Sequence, residues 1–250
     1  MTSWTRSLVW LLIPLINGGF FMLFWQSAFT ANRGVLPGWD VTTMLVYYLL
    51  LIIFQALIIS HIEEKIETDI RQGDIVQYLL KPYPLYLAYF MAELPYRIIQ
   101  GGFALLIYFG IAFFYPALWL QSLDWWRGIL VLFIILLALI LSQTFKVILG
   151  LIAFWTKDNK GISDTVTVAI IFFTGMNIPI VFMPTWLQQI AFSLPFPYLI
   201  YFPIIGMQGK LSLEECMHVI TIQLAWLIVF SFLYKILLKQ GLRKFTAVGQ

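Results

Sequence analysis

The segment HIEEKIETDIRQGDIVQYLLKPYP, residues His61–Pro84, is the only long charged segment between apolar runs that are long enough to span a membrane. Within it, Ile62, Ile66 and Ile70 recur at every fourth position, which is the spacing of one face of an α-helix. The charged residues between the isoleucines favour water. The segment is therefore predicted to begin as a water-exposed helical stalk on the cytosolic side of a membrane.

The second half of the same segment predicts a turn and a very short helix. Gly73 can adopt the left-handed conformation that ends a helix, and Asp74 can cap a new helix by accepting backbone N–H bonds. Pro82 prevents that helix from continuing. The predicted helix, Asp74–Leu80, is too short to be stable without a surface to lie against. Its apolar side chains are Ile75, Val76, Leu79 and Leu80.

Composition identifies the class of protein. Hydrophobic residues make up 61% of the 250 residues, charged residues only 11%, and the mean hydropathy is +0.89. These values exceed what a soluble domain of this length shows, so the chain is predicted to be an all-α polytopic membrane protein. No polar linker divides it, which predicts one transmembrane domain over residues 1–250. Cys216 is the single cysteine, so no disulfide can form within the chain.

Six apolar runs are predicted to span the membrane. Their bounds are Leu8–Phe29, Val41–Ser60, Tyr96–Tyr115, Gly128–Trp155, Ser163–Met183 and Cys216–Leu238. Pro14 and the glycines after it leave two alternatives for residues 1–30: one kinked span, or an interfacial elbow followed by a span. Pro184–Leu211 is as apolar as a span, but prolines divide it into short pieces. Because lipid does not tolerate exposed irregular backbone, we expect short helices packed on protein at the outer face, meeting near Pro195–Pro197.

The charged residues near the spans carry further expectations. Glu93 and Arg97 flank Pro95 at a spacing of four, which favours either a helical ion pair or a kink or helix start at the proline. Lys146 is expected to extend toward the lipid headgroups from near the end of its span. No acidic residue is expected to be buried within the membrane, which argues against a proton-driven transporter.

The distribution of basic residues predicts the orientation of the chain. With six spans, the predicted cytosolic side holds Arg6, Lys65, Arg71, Lys81, Arg97, Lys157, Lys160, Lys235, Lys239, Arg243 and Lys244, and the other side holds Arg33, Arg127 and Lys210. This asymmetry of eleven to three places both termini in the cytosol, in an inner or plasma membrane.

The sequence contains no motif of a catalytic, nucleotide-binding or metal site. It has no G-x-x-x-x-G-K-[ST] phosphate loop, no H-E-x-x-H, no C-x-x-C and no G-x-S-x-G. His61 and His218 are predicted on opposite faces of the membrane and cannot share a metal. Polar residues within the spans could either hydrogen-bond neighbouring helices or contact a substrate. They are Gln55, Gln100, Gln143, Asn177 and Gln223.

Two stretches resemble a known family. IRQGDIVQYLLKP, residues Ile70–Pro82, resembles the I-x-x-G-x-[IL]-x-x-x-L-[LV]-[KR]-P segment of bacterial ABC-2 type exporter permeases, in particular the daunorubicin-permease-like group of six-span subunits. The tail GLRKFTAVGQ, residues Gly241–Gln250, is similar to the G-x-[KR]-[KR]-[YF]-x-x-x-G ending of that group. The proline-divided stretch before the last span is similar to the short outer-face helices of the same fold.

The resemblance implies a permease that moves a hydrophobic or amphipathic substrate out of the cytosol. Such a permease forms half of a dimer, with itself or a related permease, and docks on a separate ATP-binding subunit that carries ATP and Mg. No cofactor is then expected on this chain, and its other partners are membrane lipids rather than nucleic acid. ATP-driven closure would move the coupling helix between spans two and three, tilting spans two and five at the dimer centre. The residues that the resemblance assigns to coupling are Gly73, Asp74, Ile75, Val76, Leu79, Leu80 and Pro82. Candidates for a substrate path are Tyr47, Phe54, Gln55, Phe172, Phe173 and Met176.

Other classes of protein share some of these features. A non-transporting scaffold or assembly factor would also have six spans and no catalytic motif, but it would not need a cytosolic helix of this form. An intramembrane enzyme would need paired polar groups at one depth, which the sequence does not show.

Overall fold

The computed structural model describes residues 16, 19–21, 23–29, 31, 37–120, 124–156 and 160–245. Within these residues the secondary structure is α-helical or 3₁₀-helical, with no β-strand. Half of the predicted first span, Leu8–Phe29, lies outside the described residues. Its described residues from 16 to 29 are helical, and the choice between a kinked span and an elbow stays a prediction.

From residue 37 onward the described chain forms long helices joined by short ones. They are α1 Val41–Ile58, α2 Ile62–Gln72, α3 Ile75–Leu79, α4 Leu85–Phe114, α5 Trp125–Leu151, α6 Lys160–Phe173, α7 Thr185–Ser193, α8 Tyr201–Met207 and α9 Leu213–Lys244. Single 3₁₀ turns lie at Pro116–Leu118, Ile152–Phe154, Ile180–Phe182 and Phe196–Tyr198.

Four stretches of the described chain are long and apolar enough to cross a membrane. They are Val41–Gln72, Leu85–Phe114, Trp125–Phe154 and Leu213–Lys244, each of 30 to 32 residues. At 1.5 Å per residue a helix of this length extends about 45 Å, more than a hydrocarbon core of roughly 30 Å requires. These stretches contain the predicted second and sixth spans, and all but the last residue of the predicted third and fourth spans.

The fifth predicted span, Ser163–Met183, is wrong as a continuous helix. α6 has 14 residues and ends at Phe173, so it extends only about 21 Å. Gly175 follows in the left-handed conformation (φ +81°), and Pro179 leads into a single 3₁₀ turn, Ile180–Phe182, rather than a continued α-helix. The six-span count therefore depends on how the residues after α6 cross the membrane.

The stretch Pro184–Leu211 has the predicted division into short helices. α7 and α8 are separated by a 3₁₀ turn at Phe196–Tyr198, next to Pro195 and Pro197, and their position at the outer face stays a prediction. The turn lies deep in the protein, because the Gln223 side chain donates to the carbonyls of Tyr198 (2.9 Å) and Ile134 (3.1 Å). Both Gln223 and Ile134 lie about 15 Å along their helices, so the turn is inserted between α5 and α9.

The distribution of apolar side chains is typical of a membrane protein. α1 is the central helix, with Met44, Tyr47 and Leu50 almost completely buried. The outer faces of α4 and α9 are equally apolar but exposed, as at Phe114 (77% exposed) and Ile228 (71%). A helix bundle that is apolar inside and outside is suited to lipid rather than water.

Candidate functional site: the stalk, its joint and the coupling helix

The charges of the stalk helix α2 predicted that it projects into water. This prediction is wrong, because α2 packs against α5. Ile62, Ile66 and Ile70 are buried in a cluster with side chains of α4 and α5. The two helices approach closely at Gly150: a Cβ atom there would lie 2.7 Å from the Cβ of Ile66 and 3.2 Å from the Cα of Glu63. The isoleucine stripe therefore faces the protein.

A buried ion pair links the two helices. The Lys146 ammonium on α5 donates to the Glu63 carboxylate on α2, and the two residues are only 3% and 4% exposed. They lie one turn from the close contact at Gly150, so the same helix faces meet at both points. This corrects the expectation that Lys146 reaches the lipid headgroups, and it buries an acidic residue of the stalk, outside the predicted spans. The physical reason is that a buried cation is stabilised far better by an adjacent carboxylate than by apolar side chains.

A second set of polar groups surrounds the break between α1 and α2. The chain is non-helical at Ile59–His61, so the last backbone carbonyls of α1 lack partners within the helix. Arg97 on α4 lies 3.5 Å from the carbonyl oxygens of both Leu57 and Ile58. It also donates to the side-chain oxygen of Gln143 on α5. The guanidinium of Arg97 therefore stabilises the C-terminal end of α1.

Glu93 completes this joint on the side of α2. Its carboxylate pairs with Arg97 at 2.7 Å, accepts from the Ser60 hydroxyl at 2.7 Å and accepts from the backbone N–H of His61 at 3.3 Å. The ion pair is thus the alternative that the structure shows, and it spans Pro95 within one continuous helix. α4 begins at Leu85, so the helix that contains the predicted third span starts before Tyr96. Transmembrane helices tolerate such a proline when neighbouring groups surround it.

Aromatic contacts fix the short helix α3 to α2 and α4. Tyr78 stacks on Tyr89 with 4.6 Å between ring centroids, and the Tyr89 hydroxyl donates to the buried Asp69 carboxylate at 2.9 Å. The Lys65 ammonium lies 3.5 Å from the same carboxylate and 5.7 Å from the Tyr78 ring. α3 is therefore attached to the stalk by side chains as well as by the backbone.

The structure confirms the turn at Gly73, which is left-handed (φ +84°). The predicted cap at Asp74 is wrong: its backbone is helical (φ −67°, ψ −17°), whereas a capping residue needs an extended conformation. Its carboxylate accepts instead from the Gln77 side chain at 3.2 Å. Ile75 is buried against the protein, while Leu80 is 81% exposed. The structure places the remaining predicted coupling residues as follows: Val76 is half-buried, and Leu79 and Pro82 are exposed.

The candidate path residues differ in how deeply they are buried. Tyr47 and Phe54 are buried inside the bundle, and the Tyr47 hydroxyl donates to the Gly175 carbonyl at 2.8 Å. Met176 is also buried, whereas Phe172 is 46% exposed. The remaining two, Gln55 and Phe173, are half-buried. A cavity of about 370 Å³ between α1 and α4 is lined by none of these six residues but by Thr42, Leu45, Leu49, Ile111, Tyr115, Ala117 and Leu118. The path stays a prediction.

Three of the polar residues in predicted spans form hydrogen bonds within the protein. Gln143 and Gln223 bond groups on neighbouring helices, and Gln100 donates to the Tyr96 hydroxyl at 2.6 Å. For Gln143 and Gln223, hydrogen bonding between helices accounts for the side chain, whereas the Gln100 bond lies within α4 and leaves both alternatives open. Among the described residues, no group of three or more His, Cys, Asp or Glu side chains could hold a metal ion.

Sequence reasoning missed the buried charges, although one signal was present. A single lysine in an apolar run needs a partner, and Lys146 has no acidic residue within one helical turn of its own helix. Its partner had to come from another helix, and Glu63 directly follows Ile62 at the start of the buried isoleucine stripe.

Comparison with protein families matches residues 15–249 to the ABC-2 family transporter protein. No curated protein and no solved structure matches the chain. The match covers the stalk, the joint, α3 and the four candidate spans, so the chain belongs to the ABC-2 transporter family and is a membrane permease of the ABC-2 type.

Proposed function

We propose that this permease is the membrane subunit of an ATP-driven exporter and that α3 is the helix through which a separate ATP-binding subunit drives it. The observation that carries the proposal is the exposure of Leu80 and Leu79 at the end of a helix that is otherwise fixed to the stalk. Exposed leucines outside the spans gain free energy by packing against a partner protein. The ABC-2 family is normally the membrane subunit without ATPase activity, so ATP and Mg would bind the partner.

The exported substrate is proposed to be hydrophobic or amphipathic, and two permease subunits, identical or related, would enclose its path. Export and dimer formation are drawn from the family resemblance. The apolar surfaces of α4 and α9 support a protein that is surrounded by lipid and membrane-soluble molecules.

A six-span topology with both termini in the cytosol is proposed from the basic residues. In this arrangement α6 and the turn after it complete the fifth crossing together. Irregular backbone is tolerated there because the Tyr47 and Tyr48 hydroxyls donate to the carbonyls of Gly175 and Asn177, each at 2.8 Å. A cysteine at Gln208 should react with an impermeant reagent from outside only, and a glycan acceptor at Lys244 should stay unmodified. Either opposite result contradicts the topology.

The test of the function is purification of the chain from its native membrane. We expect an ATP-binding subunit to co-purify, with ATP hydrolysis that responds to added hydrophobic substrates. Leu80→Glu should remove the response, whereas the conservative change at the same position, Leu80→Met, should preserve it. Purification of the permease without any ATPase would instead favour a scaffold or assembly factor.

A further inference from the structure

The stalk is connected more firmly to α5 than to the span that precedes it in the chain. Three non-helical residues, Ile59–His61, separate α2 from α1. In contrast, α2 meets α5 through the buried Glu63–Lys146 ion pair and the close approach of Ile66 to Gly150. Charges in a buried pair cannot separate without a large loss of stabilisation, so this contact is rigid.

α9 belongs to the same rigid unit. A Cβ atom at Gly241 would lie 2.2 Å from the Phe154 ring, so the end of α9 lies directly against the turn that follows α5. Further along the helices, Tyr234 on α9 packs against the buried cluster that contains Ile62 and Ile66 of α2 and Val147 of α5. The cytosolic ends of α2, α5 and α9 are therefore packed together.

α4 contacts this unit before Pro95 and contacts α1 after it. Its first half contacts the stalk through the bond from Tyr89 to Asp69. Its second half contacts α1 at Gly101, where a Cβ atom would lie 2.2 Å from Leu57. Pro95 lacks a backbone N–H and therefore weakens α4. It lies beside Ile59–His61, where the helix is interrupted between α1 and α2. Glu93 and Arg97 bridge these two weak points.

We propose that a force on α3 is delivered directly to α5 and α9 through Glu63 and Lys146, and that the protein bends at Ile59–His61 and Pro95. Glu63 and Lys146 are positioning residues, since they fix the lever and touch no substrate. The family resemblance implies motion of α1 and α6, the second and fifth spans. Here the Glu93–Arg97 joint connects α1 to the stalk. The inference rests on the proposed function for the origin of the force, but not for the rigid unit itself.

The rigid unit is tested on the permease alone by hydrogen exchange of the α2 amides. Glu63→Gln removes the charge of the buried partner, and Glu64→Gln makes the same change at the adjacent exposed position. We expect Glu63→Gln to speed exchange in α2 by about tenfold or more while α1 stays protected, because local opening no longer has to break the pair. Glu64→Gln should have no such effect. Unchanged α2 protection in Glu63→Gln overturns the proposal.

A charge reversal keeps this test decisive if Glu63→Gln does not accumulate in the membrane. Glu63→Lys combined with Lys146→Glu retains an ion pair with the opposite polarity. We expect the double variant to recover accumulation and α2 protection relative to either single reversal. Failure of the double variant to exceed both single variants also overturns the proposal.

The direction of the force is tested on the complex with its ATP-binding subunit. In a Cys216→Ser background, spin labels at exposed positions report the distance from α3 (Gln77→Cys) to the far end of α5 (Trp126→Cys) or of α4 (Phe114→Cys). With ATP and vanadate, the distance from α3 to α5 should stay constant and the distance from α3 to α4 should change. The reverse pattern, or no change in either distance, overturns the inference. If no ATP-binding subunit assembles, the proposed function fails while the exchange result stands.

Discussion

Gly150→Ala tests the contact on which the stalk depends. The new methyl group would lie 2.7 Å from the Cβ and 2.9 Å from the Cγ2 of Ile66, and 3.2 Å from the Cα of Glu63. None of these atoms is the end of a flexible side chain, so α2 itself must move away from α5. Overpacking of this kind costs about 1–3 kcal/mol. The same movement weakens the buried pair between Glu63 and Lys146.

The matched control is Gly102→Ala, in the interior of α4, where an added Cβ atom meets nothing within 4 Å. Both substitutions gain roughly 1 kcal/mol of helix propensity, so the difference between them isolates the clash. Thermal unfolding of the two purified variants in the same detergent measures it. We expect Gly150→Ala to be less stable than Gly102→Ala by about 1–3 kcal/mol. Equal stability would show that α2 and α5 are not in close contact.

Three further substitutions test the buried ion pair, the hydrogen bond of Tyr47 and the turn before α3. Lys146→Met should destabilise the protein by about 3–5 kcal/mol, because the carboxylate of Glu63 stays buried without a counter-charge. Chemical denaturation in detergent measures the change, and a midpoint equal to that of the wild type would show that the ion pair does not stabilise the protein. Tyr47→Phe removes the donor to the Gly175 carbonyl and should cost about 1–3 kcal/mol, whereas a loss of transport with unchanged stability would indicate a substrate contact instead. Gly73→Val should leave insertion intact but abolish transport. Valine adopts a left-handed backbone only at a cost of about 1–2 kcal/mol, so the turn before α3 would be displaced. Transport at the wild-type rate in vesicles would show that α3 is not part of the coupling path.

Local patterns predicted the elements that depend on a few adjacent residues. The left-handed turn at Gly73 and the division of Pro184–Leu211 follow from the limited backbone conformations of glycine and proline. The long helices follow from apolar length alone. The prediction of one continuous helix over Ser163–Met183 was wrong because hydropathy is insensitive to backbone geometry. The helix ends before Gly175, inside an apolar run.

The contacts between helices could not be predicted from one sequence. The charges of α2 favoured water, and only the packing on α5 shows that Glu63 and Asp69 face inward. Arg97 was placed beside Glu93 by spacing, but its contacts with the end of α1 depend on how α4 crosses that helix. Asp74 was expected to cap α3 because its residue type is suitable, yet the tight turn after Gly73 holds its backbone in a helical conformation.

The most direct test of the central claim is a photo-crosslinking amino acid at position 80 of the permease, activated in native membranes. Leu80 is 81% exposed at the end of α3, and position 106 on the apolar face of α4, where Leu106 is 69% exposed, provides the control. We expect a crosslinked product at position 80 that contains an ATP-binding subunit, and no such product at position 106. Crosslinking of position 80 to lipid or to the permease alone would contradict it.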